Sequence, residues 1–566
     1  MSGERAPAEL ADLVVVGAGA AGMTAALVAA SEGLRVVLCE ATQQVGGTTA
    51  TSAGTLWVPG NPHGLRAGHD DSVEAAAAYL DAVIGPDDSR GLRRAFLASA
   101  AEALDYLEQH SAVAFASAGL HPDYLSLPGS ATAGRAVTPL PFDGRVLGAD
   151  FPRIRPPIRE FMLLGGMMAG KADVRSLVNR YRSWSDFLHS AKLVARYASD
   201  RLRHARGTRL VLGNALVARL FQSVRSAGVE LRFGWRLRNF ERDGGVVTGA
   251  WFDTLDGPRF LAARRGVVLA SGGVGHAPEL RQELGIDTAV PSLACESVRG
   301  DGLAAARQAG AKLEVHPGSN FFWQPVSRVP HADGTDGLFP HLYLDRAKPG
   351  LIAVDAQGKR FVNEAASYHH FVERMLQAVG PPPGGRAWLV CDADFVRRYG
   401  LGTIPPGTRR LERWRRSGYV SCAPTLHELA HQAGIAEGGL VATVERYNSF
   451  ASTGTDLSFG KGEAVLDRFN GDPAHAPNPC LGVIARGPFC ALEIHGADAA
   501  SSAGLATDRD GRVLDGQGDA VPGLYACGND AASLMRGSYP GPGTTLGPAL
   551  VFAYRIGRHA AGTIAE

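Results

Sequence analysis

Net charge is what this 566-residue chain lacks most: 57 Lys and Arg against 56 Asp and Glu leave +1 at neutral pH. With no global field to attract nucleic acid or an acidic partner, neither is expected to bind. Cysteine is scarce as well. The seven residues (39, 295, 391, 422, 480, 490 and 527) are scattered, with no C-x-x-C pair. That spacing argues against a zinc site or a disulfide framework, so no metal is expected, and it favours a reducing compartment. Long apolar runs are missing too. The longest lipid-like stretch, 161–170, is about half the length a membrane span needs. The opening MSGERAPAELAD is polar and holds no secretory apolar segment, which makes a cytoplasmic location the expectation.

What is present begins with glycine, 71 residues of it, a composition suited to tight turns and close approach of backbone to a ligand. The length exceeds one compact core, so two or more domains are expected. Leu13-Val-Val-Val16 reads as a buried parallel strand, and Gly17-Ala-Gly-Ala-Ala-Gly22 follows at once. A helix over 23–31 comes next, then a strand, Arg35 to Cys39, ending in Glu40. Strand, glycines, helix, strand and acid in this order form a dinucleotide fingerprint. Gly17, Gly19, Ala21 and Gly22 let the backbone approach a pyrophosphate at a helix N-terminus, and Glu40 reaches a ribose hydroxyl.

The residues beyond the acid favour FAD over NAD. Gly46, Gly47, Thr48, Thr49, Ser52 and Gly54 offer small groups and hydroxyl donors to a second phosphate and a flavin. A further strand ends in Ser271-Gly272-Gly273, and a last one in Gly528-Asn529-Asp530. The expected fold is α/β, a Rossmann-like FAD-binding domain with an inserted α+β catalytic, or cap, domain. Residues 1–290 and 480–566 are assigned to the FAD-binding domain. The insert covers 291–479, opening near Gly300-Asp-Gly302 and closing in the Pro/Asn/Gly-rich stretch 470–479. Gly302 counts among the cofactor contacts. Within the insert, 359–368 is expected to pass from strand into helix.

Between 171 and 209 stand ten Lys or Arg against three Asp, interleaved with Trp184, Phe187, Leu188, Leu193, Tyr197 and Leu202. A basic amphipathic helix of this kind is either an ordinary solvated face or a surface for an anionic membrane. The second reading would place the protein peripherally at the inner face of the membrane.

Near the C-terminus, Arg536-Gly-Ser-Tyr-Pro-Gly-Pro-Gly-Thr-Thr-Leu-Gly-Pro-Ala-Leu550 sets one tyrosine among glycines and prolines. Such a run buries little apolar surface and reads as backbone shaped for close approach. Thr544 or Thr545 can cap the following helix, whose first turn tolerates Pro548. With Thr545 and Leu546 at its start, that helix would point its positive end at a flavin. Tyr539 and the Gly543 N–H together are the parts of an oxyanion hole.

This stretch, with Gly523-Leu-Tyr-Ala-Cys-Gly-Asn-Asp530 before it, resembles the C-terminal signature of the 3-ketosteroid 1,2-dehydrogenases. Those enzymes belong to the wider fumarate-reductase/succinate-dehydrogenase flavoprotein group. Gly46-Gly-Thr-Thr49, Trp57-Val-Pro59, Gly300-Asp-Gly302 and Asn363-Glu364 with Tyr368 extend the resemblance along the chain. The absence of a recognisable covalent flavin-attachment motif favours non-covalent FAD, and the resemblance implies a 3-ketosteroid whose 3-keto oxygen is held by Tyr539 and Gly543. It implies Tyr368 as the base for the C2 proton, Tyr124 as its hydrogen-bond partner, and hydride transfer from C1 to flavin N5. Electrons would leave to a quinone or another small acceptor. The rivals are a 4,5-dehydrogenase of saturated ketosteroids, an enzyme of another cyclic ketone or enone, a fumarate-reductase-like enzyme using His495 and Arg536, and a flavin-binding module without a substrate.

Overall fold

The computed structural model describes residues 9–86, 90–342, 345–382 and 384–563. The N-terminal apolar runs become the centre of an eight-stranded sheet. Its order is Arg512–Leu514, Ala520–Ala526, Gly257–Leu269, Glu9–Val16, Val36–Glu40, Glu230–Phe233, and a hairpin of Arg236–Asp243 and Val246–Thr254 branches from Gly257–Leu269. The five strands from Ala520–Ala526 to Glu230–Phe233 run parallel. The unbroken apolar run explains this centre: Leu13, Val14 and Val15 are fully buried. Leu13 and Val15 lie in one core cluster with the first and last helices, and Val14 in another with Leu237, Val247 and Phe252 of the hairpin. The first helix, Ala20–Ser31, is apolar almost all round and correspondingly buried. It packs on the last helix, Leu546–Ala561, where Gly557 lies so close that a β-carbon would come within 2.7 Å of Val28. Chain start and chain end thus meet at one place.

A second, antiparallel sheet has the order Asp336–Pro340, Phe321–Pro330, Phe489–Ser501, Ala387–Asp392, Leu351–Asp355, with Ser421–Ala423 paired to Phe489–Ser501. This sheet corrects the expected boundary at 479. Phe489–Ser501 is its central strand, pairing with Phe321–Pro330 on one side and Ala387–Asp392 on the other. The turn-rich stretch before 480 ends a helix, Val465–Asn470, and does not end the insert.

The segment 359–367 also differs from expectation. It forms turns instead of a strand, and the helix starts at Tyr368. Here Arg360 and Glu364 are spent on a buried ion-pair cluster with Asp456 and Lys461. Glu364 also accepts from the Ala353 N–H at 3.0 Å. Burial alone would raise its carboxyl, but Arg360, Lys461 and the Ala353 N–H together hold it below the usual range. Ser367 then caps the helix Tyr368–Val379 by accepting from the His370 N–H.

Candidate active site

The dinucleotide loop has the shape its glycines predict. Gly17 sits at φ +102°, and a β-carbon there would come within 2.3 Å of the Ala270 carbonyl. Gly22 packs against the Gly17 carbonyl, whereas Gly19 faces open space. Glu40, at the end of Val36–Glu40, is buried and accepts from the Ala18 N–H at 3.0 Å and from Thr42. Gly47 also faces open space, and Thr49 Oγ1 accepts from the Ala20 N–H at 3.4 Å. Thr48 Oγ1 accepts from the Cys295 N–H at 3.0 Å. Ser52, Gly54 and Gly46 also border the helix Leu212–Ser226: the Ser52 carbonyl accepts from the Gly213 N–H at 3.1 Å, a β-carbon on Gly54 would meet Leu212 and Gly213, and one on Gly46 would meet Val217.

The two later cofactor segments meet. Asp530 accepts from the N–H and hydroxyl of Ser271 and from the Gly273 N–H, closing the loop that holds Gly272. Burial raises its carboxyl to about 6, with these bonds opposing the shift. Gly302 lies beside the same carboxylate, and Gly528 beside Ala21. Gly528, Asn529, Phe322, Ser501, Thr544, Thr545 and Pro548 line one cavity at the start of the last helix. Loops open at Gly19 and Gly47, joined to that cavity through Ala21 and Gly528, suit an extended dinucleotide with a flat ring at one end.

The expected threonine cap is replaced by another arrangement. Thr545 occupies the N-cap position of Leu546–Ala561 but makes no side-chain cap bond. The Thr544 hydroxyl instead bonds the Gly541 carbonyl at 2.6 Å and accepts from the Gly541 N–H. Both threonines therefore serve the loop, and the helix start is left to face the cavity.

Three segments bring three tyrosines together. Tyr124 comes from the loop after Phe115–Ser117, Tyr368 from the first turn of its helix, and Tyr539 from the glycine–proline loop. Ring centroids lie 5.6 Å apart for Tyr124 and Tyr368, 5.8 Å for Tyr124 and Tyr539, and 5.2 Å for Tyr368 and Tyr539. The Tyr124 and Tyr368 hydroxyl oxygens are 3.4 Å apart. The Tyr539 hydroxyl reaches Tyr368 and Thr545. Burial, with Tyr124 and Tyr539 alongside, drives the Tyr368 phenol well above its usual range. Burial raises Tyr539 as well, opposed by its bonds to Tyr368 and Thr545. Both are neutral phenols at pH 7.

Gly543 stands four residues after Tyr539 on the same loop. At φ +86° it is pressed against Thr55 and Leu56, where a β-carbon would come within 2.4 Å of the Thr55 carbonyl. Its carbonyl accepts from the Trp57 and Gly547 N–H groups, and its own N–H donates to no acceptor among the described residues. Apolar side chains complete the site: Leu342 and Leu466 pack with the tyrosines, and Phe322 meets Tyr539 edge-on at 5.2 Å. His369, missed in the sequence, lies 5.9 Å from Tyr539 and accepts at Nδ1 from the Trp323 N–H. Its position next to Tyr368 was the available signal. His495 stands elsewhere, on Phe489–Ser501 beside Glu493 and opposite Val326.

Similarity to known proteins extends over nearly the whole chain. The profile of a family described as "FAD binding domain" matches residues 12–546. The chain is 38% identical to 4-oxocyclohex-2-ene-1-carboxylate 5-dehydrogenase of Sinomonas cyclohexanicum, over 97% of this chain and 93% of that protein. It is 36% identical to 3-oxosteroid 1-dehydrogenase of Mycobacterium tuberculosis (strain ATCC 25618 / H37Rv), over 97% of this chain and 98% of that protein. Among solved structures, 3-ketosteroid delta1-dehydrogenase from Sterolibacterium denitrificans in complex with 1,4-androstadiene-3,17-dione matches with a TM-score of 0.90 at 32% identity, covering 98% of this chain and 100% of that one.

Proposed function

The chain belongs to the 3-oxosteroid 1-dehydrogenase family of FAD-dependent oxidoreductases, and from that premise we propose that it desaturates the C1–C2 bond of a 3-ketosteroid. One observation carries the reading: three phenols from distant segments, two buried and Tyr539 half-buried, converge among apolar side chains, and on the Tyr539 loop the Gly543 N–H donates to no acceptor among the described residues.

Tyr539 and the Gly543 N–H hold the 3-keto oxygen, and their donation acidifies the C2–H. Tyr368, having first lost its own hydroxyl proton, takes that proton as a phenolate, and the Tyr124 hydroxyl donates to its oxygen. FAD, bound non-covalently, supplies the acceptor for the hydride that leaves C1. Electrons then pass to a quinone or another small acceptor. The lining of Phe322, Leu342 and Leu466 suits an apolar ring system. A second reading follows from the relative that acts on 4-oxocyclohex-2-ene-1-carboxylate, since its smaller ring carries the same ketone–neighbour relationship.

Anaerobic titration of the purified holoenzyme decides between them. Androst-4-ene-3,17-dione is expected to bleach the long-wavelength flavin band and yield a product two hydrogens lighter, desaturated at C1–C2. Bleaching only by a saturated 5α-ketosteroid selects the 4,5-dehydrogenase. Bleaching only by 4-oxocyclohex-2-ene-1-carboxylate selects the small-ring enzyme, and no bleaching by any of them removes the cyclic-ketone reading. Acid precipitation is expected to release the chromophore.

Surface docking belongs to the same proposal. Lys171–Asn179 and Trp184–Arg201 are helices, and Tyr181 (83%) between them, Trp184 (73%) at the start of the second and Leu202 (85%) just after it are exposed. Arg206 and Arg209 turn inward, to Asn214 and Asp173. Arg175, Arg180, Arg182, Lys192, Arg201 and Arg203 remain exposed around the apolar residues. No helix among the described residues is long and apolar enough to cross a membrane. Exposed apolar and aromatic residues interleaved in sequence with exposed cations suit the surface of an anionic bilayer, from which a sterol and a quinone are both delivered. The protein is expected to float with phosphatidylglycerol vesicles at low salt, and less so at high salt. Remaining at the bottom of the gradient with and without salt eliminates the surface.

A further inference from the structure

We propose that Tyr79 is a positioning residue for this chemistry, its hydroxyl fixing the spacing between the loop that carries Tyr124 and the loop that carries Tyr539. The inference rests on the catalytic reading above. Tyr79 lies on the helix Val73–Ile84, outside the substrate cluster, and is fully buried. Its hydroxyl donates to the Pro540 carbonyl at 2.6 Å and accepts from the Leu125 N–H at 3.2 Å. The Tyr124 N–H donates to the same Pro540 carbonyl at 2.8 Å. One phenol and one carbonyl thus join the residue after Tyr539 to Tyr124 and the residue after it. Both stretches are irregular backbone at these positions, so their register depends on these three bonds.

What lies behind Tyr79 makes the clamp rigid. The Arg135 guanidinium sits 5.6 Å over the Tyr79 ring and 5.7 Å over that of Trp57. It is held by Asp71 at 2.9 Å, Asp123 at 2.6 Å and the Gly129 carbonyl at 2.8 Å. Asp123, the neighbour of Tyr124, accepts from Trp57 Nε1 at 2.8 Å. Gly541 packs where Trp57 and Asp123 meet, leaving no room for a side chain. Burial keeps the Tyr79 phenol far above its usual range, so it remains a neutral donor wherever the enzyme works. The group held in place at the end of this chain of contacts is the Tyr124 hydroxyl.

The test is Tyr79→Phe in the holoenzyme, which removes one oxygen and keeps the ring. A misplacement on the ångström scale costs up to about 100-fold in rate, so kcat is expected to fall roughly 10- to 100-fold with KM little changed. Flavin content and thermal midpoint serve as structural readouts. Ser72→Ala is the control, because Ser72 caps the same helix by accepting from the Ala75 N–H and has no hydrogen bond to either loop among the described residues. It is expected to lower the thermal midpoint and leave kcat alone. Tyr79→Phe is also expected to add little, under about threefold, in a Tyr124→Phe background, because residues acting through one another are not additive.

Full additivity overturns the proposal, as does an unchanged kcat in Tyr79→Phe or an equal kcat loss in Ser72→Ala. If Tyr79→Phe purifies without flavin, 4-aminophenylalanine at 79 keeps a donor to Pro540 and is expected to restore both flavin and kcat. Restored flavin without restored kcat also overturns the proposal. A wild-type enzyme that turns over no cyclic ketone defeats the catalytic reading and this inference with it. An active wild type matched by Tyr79→Phe defeats the positioning role alone.

Discussion

Tyr368→Phe is expected to lower kcat by about 10³- to 10⁴-fold, the upper end of what a positioned general base contributes. A free phenol has a pKa near 10, so about one in a thousand is ionised at pH 7, a deficit of about 4 kcal/mol. The pocket deepens that deficit, because burial and two neighbouring phenols push Tyr368 higher still. The free enzyme therefore does not store a phenolate. In the proposed reaction the small phenolate fraction of Tyr368 is the base. Its hydroxyl proton leaves first, donation from Tyr124 offsets part of the charge on its oxygen, and a carbonyl bound by Tyr539 and Gly543 acidifies the C2–H whose proton it then accepts. The 3.4 Å separation of Tyr124 and Tyr368 is long for such a bond and is expected to shorten on substrate binding.

A pH signature follows. Below the phenol's pKa each unit of pH multiplies the ionised fraction tenfold, so kcat/KM of the wild type is expected to rise with pH at unit slope through the neutral range. Tyr368→Phe loses that slope along with the rate. Its thermal midpoint changes little, because the ring stays packed against Tyr124 and Tyr539. Steady-state rates from pH 6 to 9 check both expectations. Residual activity within tenfold of wild type, with the slope intact, would show that the proton goes to another group.

The sequence made the dinucleotide cradle legible because its chemistry is local. Strand, glycines, helix and acid occupy consecutive positions, and Gly17 performs the turn that spacing predicts. The Tyr539 loop was legible for the opposite reason: a tyrosine among glycines and prolines has no core to enter. The supports were hidden. Tyr79 lies 461 positions from Pro540 and reads as one more apolar residue on an alanine-rich helix. Asp123 and Arg135 look like surface charges until the fold buries them against each other. Phe489–Ser501 likewise carries no local mark that it pairs with a strand more than a hundred residues earlier, so the insert was closed too early. Net charge over 171–209 could not say which arginines point inward. In each case the deciding contact is long-range, and local composition says nothing about it.

Tyr539→Phe isolates the other half of the chemistry and is expected to reduce kcat/KM by about 100- to 1,000-fold, the loss typical of one oxyanion donor, or roughly 3–4 kcal/mol. The ring itself is well supported, stacked on Tyr124 at an interplanar angle of 11°, meeting Phe322 edge-on, and lying near His369. Phenylalanine preserves those contacts, so the change removes a donor and little else. The Gly543 N–H remains, held by the close packing of Gly543 on Thr55 and Leu56 and by the Trp57 bond to its carbonyl. Catalysis should therefore be crippled and still measurable, less severely than in Tyr368→Phe.

The two variants should also differ in kind. Loss of the keto donor weakens acidification of C2–H at every pH, so Tyr539→Phe keeps the unit slope that Tyr368→Phe loses. Product enone binding, read from the flavin spectrum, should weaken far less than kcat falls, since the bond is strongest when the oxygen carries charge. Equal losses in enone affinity and in kcat/KM would make Tyr539 a binding group and leave the oxyanion to the backbone alone.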